Sequence, residues 1–202
     1  MPGNVKGRAA LSLDDWHRAA TYLPMKPLSL AFPLLLVASA ALADCPAPPD
    51  IAAEEAVLFD KLQQAANEMQ AQESSRGLWK LWTKAPDAAA QELLDQGMAA
   101  RQVFDFVRAI DRFDRLVEYC PDYAEGYNQR AFVNFLREDF AAALVDLDLA
   151  LERSPSHVGA LSGKALTLMG LGEDEKAQEI LRDALDLNPW IPERGLLKGT
   201  DL

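Results

Sequence analysis

The sequence predicts an all-α protein, a solenoid of helical hairpins, on three observations. Pro121, Pro155 and Pro189 follow one another at intervals of 34 residues. Each closes a block in which apolar residues recur at helical spacing. Small residues fall at fixed phases of those blocks, Gly97, Ala131 and Ala165 at one and Ala109, Ala143 and Ala177 at another. A period of this length is that of a two-helix unit, which buries its apolar face only by stacking on its neighbours.

Composition bounds the function. The 202 residues suffice for one domain with a real core, and half of them are hydrophobic, so the chain is not disordered throughout. Lys and Arg number 20 against 31 Asp and Glu, a net charge of −11. That balance argues against nucleic acid as the main partner, since phosphate binding needs a basic face. It suits a protein kept apart from its copies by self-repulsion, or one with basic partners. Two histidines, His17 and His157, and two cysteines, Cys45 and Cys120, are a poor inventory for a metal site or a Ser/His/Asp relay. No catalytic residue, metal or cofactor is expected, and the chain is read as a non-enzyme.

The leading part divides in two. Lys26 precedes an uncharged apolar run, 28–42, that ends in Ala41, Leu42 and Ala43, a small-x-small cleavage pattern. Residues 25–43 are therefore read as a secretory signal peptide. The run is broken by Pro33 and is short for a membrane span of about 20 residues. Asp44 before Cys45 argues against lipidation. Residues 1–24, with charges at Lys6, Arg8, Asp14, Asp15 and Arg18, fit no export signal. They are read as a mis-assigned extension, with translation starting at Met25. Loss of 1–43 removes four basic and two acidic side chains and leaves −13. The expected location is secreted or periplasmic, with no stable membrane span after cleavage. In an oxidising compartment Cys45 and Cys120 can pair; the alternative is two independent thiols.

After a Pro-rich tether at 44–49, Asp50 stands as a helix cap, with Glu54 and Glu55 in the first turn. Val57, Leu58, Leu62, Ala65, Ala66 and Met69 make one face of a long helix of about five turns, ending near 73–77. A short Trp-rich helix, 78–84, follows and stops at Pro86. Trp79 and Trp82 share a face and are expected to pack. Pro86 lies 35 residues before Pro121, so 50–89 reads as a degenerate first repeat.

Counted back from the prolines, the blocks are 90–123, 124–157 and 158–191. Position 4 is Leu93, Tyr127 and Leu161; position 24 is Phe113, Leu147 and Leu181; position 27 is Leu116, Ala150 and Ala184. Small residues at positions 8 and 20 let two antiparallel helices approach, and bulky ones fill the gaps beside them. Asp105, Asp139 and Glu173 begin each second helix; Asp87, Asp122 and Ser156 follow the prolines as caps for the next first helix. Asp146 and Asp148 read as part of a solvated face. These positions resemble the tetratricopeptide repeat (TPR), over about half the chain. Position 7 departs from it, with Gln96, Arg130 and Lys164 in place of leucine, as does position 11 with Ala100, Asn134 and Leu168. These departures imply looser packing or polar contacts.

The resemblance implies a concave face lined by the first helix of each repeat, here including Leu94, Met98 and Arg101, then Asn128, Phe132 and Phe135, then Leu166 and Met169. These eight are the expected partner contacts, and the apolar ones at positions 9 and 12, Met98, Phe132, Leu166, Phe135 and Met169, suit adaptable peptide binding. The basic clamp that some members use for a terminal carboxylate is missing, because Met98, Phe132 and Leu166 stand at position 9. His157 at a repeat boundary is a structural turn residue. The 192–202 tail is too short for a capping helix, so Trp190, Ile191, Leu196 and Leu197 cover the last repeat in part, or that face docks a second copy. The expected function is an exported scaffold that binds a protein or peptide segment in its groove. The alternative is a structural or self-associating protein whose groove is filled by its own N-terminal helix.

Overall fold

The computed structural model describes residues 44–199. The 25–43 segment, read above as a signal peptide, and the 1–24 stretch before it lie outside the described residues. Eight α-helices and a closing 3-10 turn make up the described chain, in which no strand occurs. The first pair is α1 (Ala52–Gln63) and α2 (Glu68–Trp82). Then come α3 (Ala88–Gln102) with α4 (Phe106–Tyr119), α5 (Ala124–Leu136) with α6 (Phe140–Arg153), and α7 (Val158–Gly170) with α8 (Asp174–Leu187). The 3-10 turn is Pro192–Leu196. Each phasing proline stands two residues beyond a second helix, where its missing N–H costs no helical bond.

Within each hairpin the small and large positions meet. Gly97 lies so close to Phe113 that a Cβ there would sit 2.4 Å from the ring, and Phe113 is wholly buried. Ala131 shares a core with Leu147, and Ala165 with Leu181. The turn between paired helices is the same three times. Phe104, Glu138 and Gly172 take φ of 61°, 60° and 76°. The next N–H then reaches back to the carbonyls of Ala100, Asn134 and Leu168 at 3.0, 2.9 and 2.9 Å. This is the Schellman closure, which satisfies a helix's last carbonyls. Asp105 and Asp139 then accept from the amides of Arg108 and Ala142 and cap α4 and α6.

Of the three expected first-helix caps one holds and two differ. Asp87 caps α3 by accepting from Ala90 N–H, and its other oxygen accepts from the Tyr119 hydroxyl at 2.6 Å. The two bonds hold its carboxyl below the usual range. Asp122 and Ser156 do not cap α5 and α7; Tyr123 and His157, one residue later, occupy those places. Asp50 likewise sits one residue early, bonding Ala52 N–H from outside α1.

The long N-terminal helix is instead two helices. The chain breaks over 64–67, where Asn67 turns extended and caps α2 by accepting from Gln70 N–H. Nor is the tryptophan segment separate, since α2 runs through to Trp82. The break lets α1 and α2 fold together, with Gly77 against the Leu58 side chain. This hairpin does not extend the array ahead of the first repeat. Its Leu62, Ala71, Leu78 and Trp82 share one core with Val158, Leu161, Ala165, Leu181, Ala184 and Ile191 of the last repeat and tail. Gln63 donates to the carbonyls of Asp186 and Leu187 at the end of α8. The tail lies along α8, where Gln178 bonds both Leu196 and Lys198, and Trp190 and Leu197 pack on the same core.

Cys45 and Cys120 form a disulfide that ties the tether to the end of α4. Two of the three polar residues of position 7, Arg130 and Lys164, make contacts between helices, while Gln96 bonds Glu92 within α3. Arg130 bridges Asp146, at 2.6 and 2.9 Å, and Asp114 at 2.8 Å; Lys164 meets Asp148 at 2.7 Å. Asp146 is thus a buried partner and not part of a solvated face. Burial works against the Arg130 charge, but the two carboxylates prevail and raise its pKa.

Candidate functional site

The first helices line a groove of about 380 Å3. Its floor and sides are Asn128, Ala131, Phe132 and Phe135 from α5, and Val158, Ser162, Leu166 and Thr167 from α7, with Arg101 from α3 at one edge. Trp79 of α2 and Ile191, Pro192 and Glu193 complete the lining. The α1–α2 hairpin thus narrows the groove without filling it. Two large apolar side chains stay exposed there, Phe132 at 44 % and Trp79 at 42 %. Such side chains at the mouth of a concave site mark a docking surface.

Five of the eight expected contacts line this groove: Arg101, Asn128, Phe132, Phe135 and Leu166. Leu94 does not. It is fully buried in the first-repeat core with Phe113, Leu116 and Val133, because α5 closes over it. Met98 packs against that same core, and Met169 against the core of the last repeat. The tryptophan pair is divided, with Trp82 buried as expected and Trp79 standing at the groove. Pro192 and Glu193 were invisible to repeat phasing, since the 192–202 tail carries no period, and Ile191, the last residue of the third block, was read only as cover for the last repeat.

Arg101 gives a hydrogen bond of 2.8 Å to Gln129 Oε1 and lies 4.6 Å over the Phe132 ring. Burial lowers its pKa, partly opposed by the charge of Glu125. Glu125 sits beneath, fully buried, and accepts from Asn128 at 3.0 Å and from Gln129. His157 completes the cluster. Its Nδ1 accepts from Ala160 N–H at 3.1 Å, so Nε2 carries the proton and donates to Glu125 Oε2 at 2.8 Å. The ring stacks on Trp82 at 4.1 Å. A His–Glu pair invites an acid–base reading. Here both residues are 1 % exposed and both ring nitrogens are engaged, so no substrate proton comes within reach. The cluster is a structural joint between α5, α7 and α2. Burial and the nearby Glu125 charge also raise the Tyr123 phenol, whose hydroxyl donates to the Trp82 carbonyl at 2.7 Å.

Among the described residues no group of His, Cys, Asp or Glu is placed to hold a metal, and no helix is long and apolar enough to cross a membrane.

No protein-family model matches the chain. It is similar to a TPR repeat-containing protein of Rhizobium etli, with 28 % identity over 132 residues, 65 % of each chain. It is also similar to a tetratricopeptide repeat protein 36 homolog of Nematostella vectensis, 40 % identical over 76 residues, 38 % of this chain and 41 % of that one. The chain spans less than two thirds of the length of these curated relatives. Among solved structures, the Arabidopsis OM64 TPR domain superposes with a TM-score of 0.53 at 20 % identity, over 55 % of this chain and 91 % of that one. The first TPR of Spaghetti (RPAP3), bound to the HSP90 peptide SRMEEVD, gives 0.52 at 24 %, over 54 % and 86 %. The chain resembles the tetratricopeptide repeat family in sequence and in fold.

Proposed function

We propose that this tetratricopeptide-type chain is an adaptor that holds a segment of a partner protein in the groove between α3, α5, α7 and Trp79. The carrying observation is the exposure of Phe132 and Trp79 over an apolar floor. Solved relatives of the same fold hold peptides of Hsp70 and Hsp90, as in the yeast Sti1 and RPAP3 complexes. This reading gives the chain no catalytic role. It also sets the adaptor in an exported, oxidising compartment, which the 25–43 segment and the Cys45–Cys120 pairing support.

In-cell crosslinking of the wild type and of a Phe132→Ala, Leu166→Ala variant tests it. A partner crosslinked to the wild type should be lost from the variant. Equal capture by both would reject the groove.

A second reading has its own observation. Trp79 and the 191–193 segment already narrow the groove from within the chain. On that reading the protein is an assembly element and the groove stays empty; light scattering of the purified protein would show a stable oligomer unaffected by the groove variant.

A further inference from the structure

The first repeat presents a face that the two later repeats bury. Position 3 is Glu92, Gly126 and Ala160, and position 10 is Ala99, Val133 and Thr167. In α5 and α7 these positions are buried between repeats. Gly126 lies against Leu116 and Val117, Val133 shares a core with Leu94 and Phe113, and Ala160 shares one with Leu147. In α3 both Glu92 and Ala99 are exposed. The cause is the placing of α1 and α2 on the last repeat, which leaves no hairpin ahead of α3 among the described residues. The array therefore begins with an unpartnered helix face.

That face is acidic. Glu92 and Asp95, three residues apart and both exposed, accept from Gln96 and Gln91 of their own helix at 2.9 and 3.0 Å. Neither meets a cation among the described residues. Where α3 turns into α4, the apolar side chains of Val103, Phe104 and Val107 stand exposed.

The α1–α2 hairpin carries the opposite charge. A cleft of about 700 Å3 between its helices is lined by the half-buried Leu58, Ala65 and Gly77 and by the exposed cations Lys61, Arg76 and Lys80. Glu73 is the one acid of that lining, so positive charge prevails. None of the three cations enters an ion pair among the described residues. Val57 and Met69 are exposed on the same two helices.

Spacing and net charge join the two surfaces. Side chains three or four residues apart on a helix lie ~5–6 Å from one another. Glu92 and Asp95 on α3 thus match Arg76 and Lys80 on α2, with Lys61 on α1 beside them. The net charge of −11 repels copies of the chain from each other, so a patch of reversed sign is where a second copy can approach.

We propose that the chain associates with copies of itself head to tail, the α1–α2 cleft of one copy seating α3 of the next where a preceding repeat would otherwise stack. Glu92 and Asp95 pair with the three cations, and the exposed apolar side chains of both elements add contact area. The two surfaces differ, so the contact is heterologous and extends beyond a dimer, into a ring or a filament. The proposal stands apart from whatever the groove holds.

Sedimentation velocity of the purified protein at about 0.15 M salt tests it. The mean mass of the wild type should rise with concentration. One variant, Lys61→Glu with Arg76→Glu and Lys80→Glu, reverses the cleft. Another, Glu92→Lys with Asp95→Lys, reverses α3. Each alone should associate at least about tenfold more weakly than the wild type. Mixed together they present opposite charges at every contact, and association should return. All five positions are exposed, and recovery on mixing cannot come from misfolded protein. The Phe132→Ala, Leu166→Ala variant should assemble as the wild type does, which separates this contact from the groove. A wild type of constant mass, reversed variants that assemble unchanged, or a mixture that stays dispersed would overturn the proposal.

Discussion

Phe104, Glu138 and Gly172 hold one and the same left-handed turn, yet only the glycine is suited to it. A side chain in that conformation costs roughly 1–2 kcal/mol. Phe104 is 77 % exposed, so packing returns little of that cost. Phe104→Gly should therefore leave the fold intact and raise or preserve stability by up to about 1 kcal/mol, read from urea denaturation. A clear loss would mean that the ring packs in solution. His157 makes the opposite case. Its ring caps α7, donates to a buried carboxylate and stacks on Trp82. His157→Ala should cost about 2–4 kcal/mol in the same measurement, with His157→Asn, which can still cap, recovering part. The sequence marked His157 as a turn residue, and the turn is there. The rest of its role was not legible, because Glu125 lies 32 residues away and no periodicity pairs the two. Leu94 was misjudged for a similar reason. Its row faces the groove in the family pattern, and Asn128 and Ser162 do line it; only the packing of α5 shows that Leu94 itself belongs to the core.

At the level of elements, the three repeat hairpins were readable because each helix boundary carries its own signal. The prolines, the small residues and the acidic caps of α4 and α6 all obey one phase. The N-terminal pair carries no such phase. A continuous apolar face suggested one long helix, and the break at Asn67 wins because it lets both halves bury apolar residues against the same neighbour. The tether is held differently, by the Cys45–Cys120 bond across a sequence separation of 75 residues. Closing a loop of that size in the unfolded chain contributes roughly 4 kcal/mol in the chain-entropy account. Changing both cysteines to serine should lower the melting temperature while leaving the helical circular dichroism at 20 °C unchanged. An unchanged melting temperature would show that the bond does not form or does not matter.

Across the whole molecule, the first hairpin in sequence packs on the last repeat. A chain starting at residue 86 lacks that cover and bares Val158, Leu161 and Ile191. Its light scattering should report self-association, and it should bind an apolar dye that the 44–202 chain ignores. A monomeric, dye-silent fragment would show the hairpin to be dispensable.

That arrangement also orders events in time. A simple stack of repeats can complete each unit as it leaves the ribosome, because every unit leans only on the one before it. Here the opening hairpin must wait until the residues of α7 and α8 have been made, more than 90 positions later. Until then Leu62, Leu78 and Trp82 have no lasting place to go. The protein is thus exposed early and finished late, and whatever escorts the nascent chain will meet those three residues first.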